Sequence, residues 1–152
     1  MVVHACHCRW CQRETGSAFV INGMWERPRL RLLAGRSEAV LTPSESGFGH
    51  SIHRCPSCKV ALWSHYGGAG PLLAFVRVGT LDEPDRCPPD VHIFTASKQP
   101  WLTLPPEAKS FAAYYDSPEG LWPAQGVARR AALRPAIEAW QAERQAMQVI
   151  DP

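Results

Sequence analysis

Five of the six cysteines fall into two tight clusters, Cys6-His7-Cys8-Arg9-Trp10-Cys11 near the start and Cys55-Pro56-Ser57-Cys58 further on. No other feature restricts the fold as strongly. Six cysteines in 152 residues are too few for a disulfide scaffold, and in a reducing compartment thiols gathered this closely bind metal. Cys6, Cys8 and Cys11 are close enough for one turn to aim all three at a single zinc ion. Zinc is tetrahedral and holds thiolates at about 2.3 Å, so three protein ligands leave a fourth position for water or substrate, the mark of a catalytic rather than a structural site. His4 or His7 in that position would give a closed structural site instead, and the spacing allows either.

Cys55 and Cys58 have the spacing of a zinc knuckle but supply two ligands only. Borrowing Cys8 and Cys11 would complete a ribbon-like structural site with no catalysis, although residues 12–54 make a longer separation than the roughly 15 to 20 residues usual for ribbons. His53, two residues before Cys55, is a spare ligand for the knuckle. Reading Cys8-Arg9-Trp10-Cys11 as a redox dithiol requires a strand before it and a long helix after it, which Gly16 interrupts, and leaves Cys6 without a role. Cys87, between Arg86 and Pro88, reads as a lone thiol.

One domain fits the length, and a chain this long buries roughly 70% of its unfolded surface. Fourteen prolines disfavour long helices and central strands and point to short strands joined by turns. The net charge is +2 with scattered arginines, so neither a nucleic-acid partner nor a membrane surface is implied. The longest apolar run, Leu72 to Val76, is far too short to span a bilayer, and no charged segment followed by an apolar stretch opens the chain. A soluble, cytoplasmic protein is expected.

The pattern along the chain is mainly β. One helical turn is expected before Gly16, a buried strand over Ala18 to Met24, and a half-exposed strand over Leu30 to Ala34 that pairs with Ala39 to Leu41. After the turn-rich Pro43 to Gly49, strands Ser51 to Arg54 and Ala61 to His65 flank the knuckle. Leu72 to Val78 and Val91 to Thr95 are two further strands, separated by loop signals at Asp82 to Asp85 and Pro88-Pro89. Near the end, Leu133, Ile137, Trp140 and Met147 share one helical face. Pro135 suits a first helical turn and places the start of this amphipathic helix there, with a separate short turn before it. The histidines His50, His53, His65 and His92 read as structural, and the tryptophans as core or pocket walls.

Cys6-His7-Cys8-x-x-Cys11 followed by Gly16-Ser17-Ala18-Phe19, the Cys55-Pro56-Ser57-Cys58 knuckle, Val76-Arg77-Val78-Gly79-Thr80-Leu81-Asp82 and His92-Ile93-Phe94-Thr95-x-Ser97-Lys98-x-Pro100-Trp101 together resemble the glutathione-dependent formaldehyde-activating enzyme family, in collinear order over about two thirds of the chain. The resemblance implies a β-tent-type zinc fold of packed antiparallel sheets, with a zinc-binding β domain over 1–126 and a C-terminal helical extension over 127–152. It implies a catalytic zinc on Cys6, Cys8 and Cys11, and a structural zinc half held by Cys55 and Cys58. In the family the other half comes from an upstream Cys-x-Cys that this sequence does not contain. A start placed too late is the expected reason, with loss of the site or recruitment of His53 as alternatives. The implied activity is that of a zinc-dependent carbon-sulfur lyase, similar to an S-(hydroxymethyl)glutathione synthase, acting on a small-molecule thiol substrate, the glutathione adduct or a related one. An anionic glutathione calls for arginines at the pocket. The alternative is a non-catalytic zinc module that binds a protein or other partner.

Overall fold

Short runs between turn residues form seven strands among the described residues, because each is long enough to pair yet too short for a stable helix. They are seen in a computed structural model that describes residues 1–45 and 49–150. The elements are β1 (Val2–Cys6), α1 (Arg9–Thr15), β2 (Val20–Glu26), β3 (Glu38–Thr42), β4 (His50–Arg54), β5 (Ala61–Tyr66), β6 (Leu73–Arg77), β7 (Val91–Ile93) and α2 (Ala124–Ile150). The mainly β fold with a C-terminal helix is as expected. The strands join in one seven-stranded order, β3-β4-β5-β6-β2-β1-β7, rather than in separately paired sheets. All neighbours are antiparallel except β1 and β7, which run parallel with His4 opposite Val91 and Cys6 opposite Ile93.

β1 lies inside the sheet, so Val2, His4, Ala5 and Cys6 are all buried. Its antiparallel partner β2 sets Cys6 opposite Val20, and β2 in turn sets Asn22 opposite Arg77 of β6. Beyond β7 the chain returns at residues 109–113 and continues the hydrogen bonding: His92 N–H donates to Lys109 O at 2.8 Å and Phe94 N–H to Ala113 O at 3.1 Å. This return brings Tyr114 and Tyr115 beside the end of β1. The knuckle hairpin forms as expected, with β4 and β5 antiparallel on either side of it.

Two expectations are corrected. Leu30 to Ala34 is not a strand: Pro28 directs residues 27–29 into a 3-10 turn, and residues 30–37 have no regular structure. The alternation there buries no continuous face: Leu30 packs on the cluster around Trp63, but Leu32 and Leu33 are 50% and 87% exposed. The Ala39 to Leu41 strand exists as β3 but pairs with β4. The second correction concerns α2, which starts at Ala124 and carries Pro135 inside it. Pro123 opens the helix instead, its carbonyl accepting from Gly126 and Val127 N–H at 2.7 and 3.1 Å. Pro135 removes one helical bond, at a cost of about 3 kcal/mol, and packing on both sides of it offsets that loss. Val127 and Leu133 pack against the core before the proline and Ile137, 3% exposed, lies in the core after it. Met147 and residues 46–48 of the Pro43 to Gly49 turn lie outside the described residues and side chains. No helix among the described residues is long and apolar enough to cross a membrane.

Candidate metal centre

The first cysteine cluster sits where β1 ends and α1 begins. Cys6 is the last residue of β1, and His7 N–H donates to Ile93 O at 2.9 Å, holding the chain beside β7 as it turns. Cys8 is the N-cap of α1, its Sγ accepting from Cys11 N–H at 3.4 Å, the cap position where a polar side chain satisfies an otherwise unpaired amide. This i, i+3 relation points Cys8 and Cys11 the same way. Gly16, in the left-handed conformation at φ 64°, ends the helix after two turns, as the glycine at that position requires. Gln12 locks the arrangement, its side-chain amide donating to His7 O at 2.6 Å and Ser97 O at 2.8 Å.

The result is that the three sulfurs of Cys6, Cys8 and Cys11 all lie within 4.8 Å of one another, are buried, and form no disulfide. Thiolates around tetrahedral zinc stand about 3.8 Å apart, so this donor set fits a thiophilic divalent cation with only a small contraction, and can hold one. No histidine or carboxylate joins the three among the described residues. His4 Nε2 is hydrogen-bonded to the Tyr115 hydroxyl at 2.6 Å and His7 Nε2 to His92 Nδ1 at 2.9 Å; His7 Nδ1 is buried without a hydrogen-bond partner, yet neither histidine belongs to the sulfur cluster. The ribbon arrangement of Cys8, Cys11, Cys55 and Cys58 is likewise not formed.

Electrostatically, the Cys8 thiol is drawn down to about 3 by hydrogen bonds from Cys11 and Cys6, while the hydrogen bonds that Cys6 shares with Cys11 and Cys8, together with burial, hold it far up. Cys11, although favoured as a thiolate by Cys6, is pushed up to about 12 by Cys8 and burial. Of the three, Cys8 is the one whose surroundings favour the thiolate. Arg77 supplies nearby positive charge and favours the Cys11 thiolate. It is buried, bonded to Asn22 Oδ1, and faces Glu14 of α1 at 4.0 Å, which also pairs with Arg54 at 2.5 Å. These pairs clamp α1 to β4 and β6.

A cavity of about 350 Å³ opens onto the sulfurs. Its walls include Tyr66, whose hydroxyl lies 4.0 Å from Cys11 Sγ; burial holds that phenol neutral, well above its ordinary pKa. Tyr66 stacks on His50 at 4.7 Å and meets Phe75 edge-on. On the other side the Tyr115 hydroxyl accepts from Trp122 Nε1 at 2.6 Å. Tyr66, Tyr115, His50 and Arg77 were not singled out by the sequence as site residues. Of these, only Arg77 carried a signal, a lone charge inside the apolar run Leu72 to Val78.

The second cluster lies apart. Cys55 is half-buried and Cys58 exposed; they line a shallow surface recess with Leu32, Arg36 and Leu62. The turn has knuckle geometry, closed by Lys59 at φ 62°, with Lys59 N–H donating to Cys55 O at 2.9 Å. Amide donors from Cys58 and Ser57 lower the Cys55 pKa. His53, the candidate spare ligand, stacks on Trp63 at 4.7 Å and is paired with Ser37 Oγ at 3.1 Å. No third ligand joins Cys55 and Cys58 among the described residues. Cys87 stands alone, half-buried.

No curated protein matches the chain significantly. Residues 1–97, a stretch that contains both cysteine clusters, β1 through β7 and the cavity's sulfur end, match the family described as glutathione-dependent formaldehyde-activating enzyme. The chain belongs to the glutathione-dependent formaldehyde-activating enzyme family.

Proposed function

We propose that this protein forms or cleaves the carbon-sulfur bond between a thiol and formaldehyde, in S-(hydroxymethyl)glutathione or a related thiol adduct, with zinc held by Cys6, Cys8 and Cys11. The observation that carries this reading is the convergence of three buried sulfurs on one side of a cavity large enough for a small molecule. A non-catalytic zinc module has no use for such a space beside its metal.

A zinc ion on three thiolates supplies an open coordination position that favours a bound thiolate or alkoxide at neutral pH without any redox change. In the forming direction the substrate sulfur bonds to the aldehyde carbon, the carbonyl π electrons move to oxygen, and that oxygen takes up the proton the thiol gave up. Cleavage is the reverse. Arg77 biases the site toward negative sulfur. Tyr66, neutral and aimed at the cluster, is placed to donate a hydrogen bond to sulfur or to the substrate oxygen. The largely aromatic walls lower the polarity around the sulfurs, which strengthens each of these interactions. Cys55 and Cys58 would supply two thiolates of a separate structural site, in line with the pre-formed knuckle and the lowered Cys55 pKa.

The test is turnover of the formaldehyde adduct of glutathione or of a related thiol, whichever the wild type turns over best, followed by NMR in the wild type and in Cys8→Ser. Loss of a group that only hydrogen-bonds a metal ligand already costs about 10- to 100-fold in metal affinity or activity, so loss of a ligand is expected to lower the rate by more than about 100-fold. Equal rates in the two proteins would end the reading.

A further inference from the structure

The cavity walls are chemically lopsided. Trp10, Met24, Phe75, Phe94, Tyr114 and Trp122 surround the space in front of the sulfurs, and Arg130 of α2 is the one arginine or lysine among the described lining residues. It is half-buried and has neither a hydrogen-bonding nor an ion-pairing partner there; its charge falls on Tyr114 and Tyr115. The two acidic lining residues, Glu45 and Asp116, are exposed and so stand at the mouth.

Glutathione would bring two carboxylates and an ammonium into this space, to be met by one guanidinium and two acids. A charge moved out of water without a partner is strongly disfavoured. An aromatic ring gains in proportion to the apolar surface it buries, and these walls offer stacking partners besides. We infer that the preferred thiol has a compact apolar body, aromatic or branched aliphatic, with at most one carboxylate, which Arg130 receives. The assignment rests on the thiol-adduct reading of the site and names its substrate class.

Two measurements on the zinc-loaded protein separate the two claims. The first compares kcat/KM for the formaldehyde adducts of glutathione, benzyl mercaptan and 4-(mercaptomethyl)benzoate. The second ranks equilibrium binding of the three corresponding S-methyl thioethers by quenching of tryptophan fluorescence, which needs no turnover. The aromatic ligands are expected to lead glutathione by about tenfold or more in both. If the glutathione adduct is turned over best and S-methylglutathione binds as tightly as the aromatic thioethers, the substrate class is overturned while the activity stands. If no adduct turns over, the activity reading fails and the thioether ranking alone decides the shape and polarity of the site, an aromatic lead upholding the assignment and its absence overturning it. In Arg130→Met the benzoate should lose its advantage over the neutral aromatic thiol; an unchanged ratio removes Arg130 from the assignment.

Discussion

Gly70 and Trp140 fix the C-terminal helix to the sheet, and substituting the glycine isolates that contact. Gly70 sits at φ 52° at the start of a 3-10 turn leading into β6, and a Cβ there would meet the Trp140 ring at 2.3 Å for Cε2 and Cζ2. Alanine in the left-handed region costs about 1–2 kcal/mol, and displacing a packed ring costs about 1–3 kcal/mol more, so Gly70→Ala should destabilise by roughly 2–5 kcal/mol. Gly120 is the control: it has φ 74° and nothing within 4 Å of an added Cβ, so Gly120→Ala should cost the strain alone, about 1–2 kcal/mol. At about 2–4 °C per kcal/mol for a chain of this size, thermal melts followed by circular dichroism resolve the difference. In a Trp140→Leu background the excess of Gly70→Ala over Gly120→Ala should largely vanish, because the atoms it strikes are gone. Equal costs for the two glycine variants, or an excess that persists without the tryptophan, would refute the docking described for α2.

Pro135→Ala restores the helical bond to Ala131 and should stabilise by about 1–3 kcal/mol in urea titration; a loss of stability would mean that the proline shapes the docking of Ile137 and Trp140. Tyr66→Phe should keep the bound zinc and the melting temperature while slowing adduct turnover about tenfold, a fraction of what loss of a well-placed donor costs; an unchanged rate would remove the hydroxyl from the chemistry. Burial first, then Arg77 for His50 and His65 for His53, lower these histidines' pKa below 6.5. A base with a depressed folded pKa contributes stability above its unfolded pKa and loses it as pH falls through the folded one. The urea midpoint should therefore decline as the pH drops below about 6.5, less steeply in His53→Gln, and an identical slope in that variant would contradict the assignment.

The site was legible in the sequence where its chemistry is local. Cys6, Cys8 and Cys11 fall within one strand end and one helical turn, so spacing alone set their convergence. The strands around the knuckle were legible for the same reason, since the Cys55-Pro56-Ser57-Cys58 turn marks where one strand must end and the next begin. The rest depended on distant parts of the chain. Tyr115 reaches His4 because residues 109–113 return beside β7 without a local pattern that announces it, and Tyr66 ends a strand in which its direction is decided by pairing with β4. Leu30 to Ala34 alternates only imperfectly and buries little beyond Leu30, and alternation does not by itself make a strand. At Pro135 a local rule was outweighed by tertiary packing, because Val127 and Leu133 on one side and Ile137 on the other already lie against the core.

X-ray absorption at the zinc edge, on Cys55→Ser/Cys58→Ser protein so that only the first cluster contributes, tests the central claim most directly. Three sulfurs at about 2.3 Å and one lighter donor are expected, with the signal lost in the further Cys8→Ser variant. Four sulfurs, a histidine in the first shell of the wild-type cluster, or no bound metal would contradict an open three-thiolate centre.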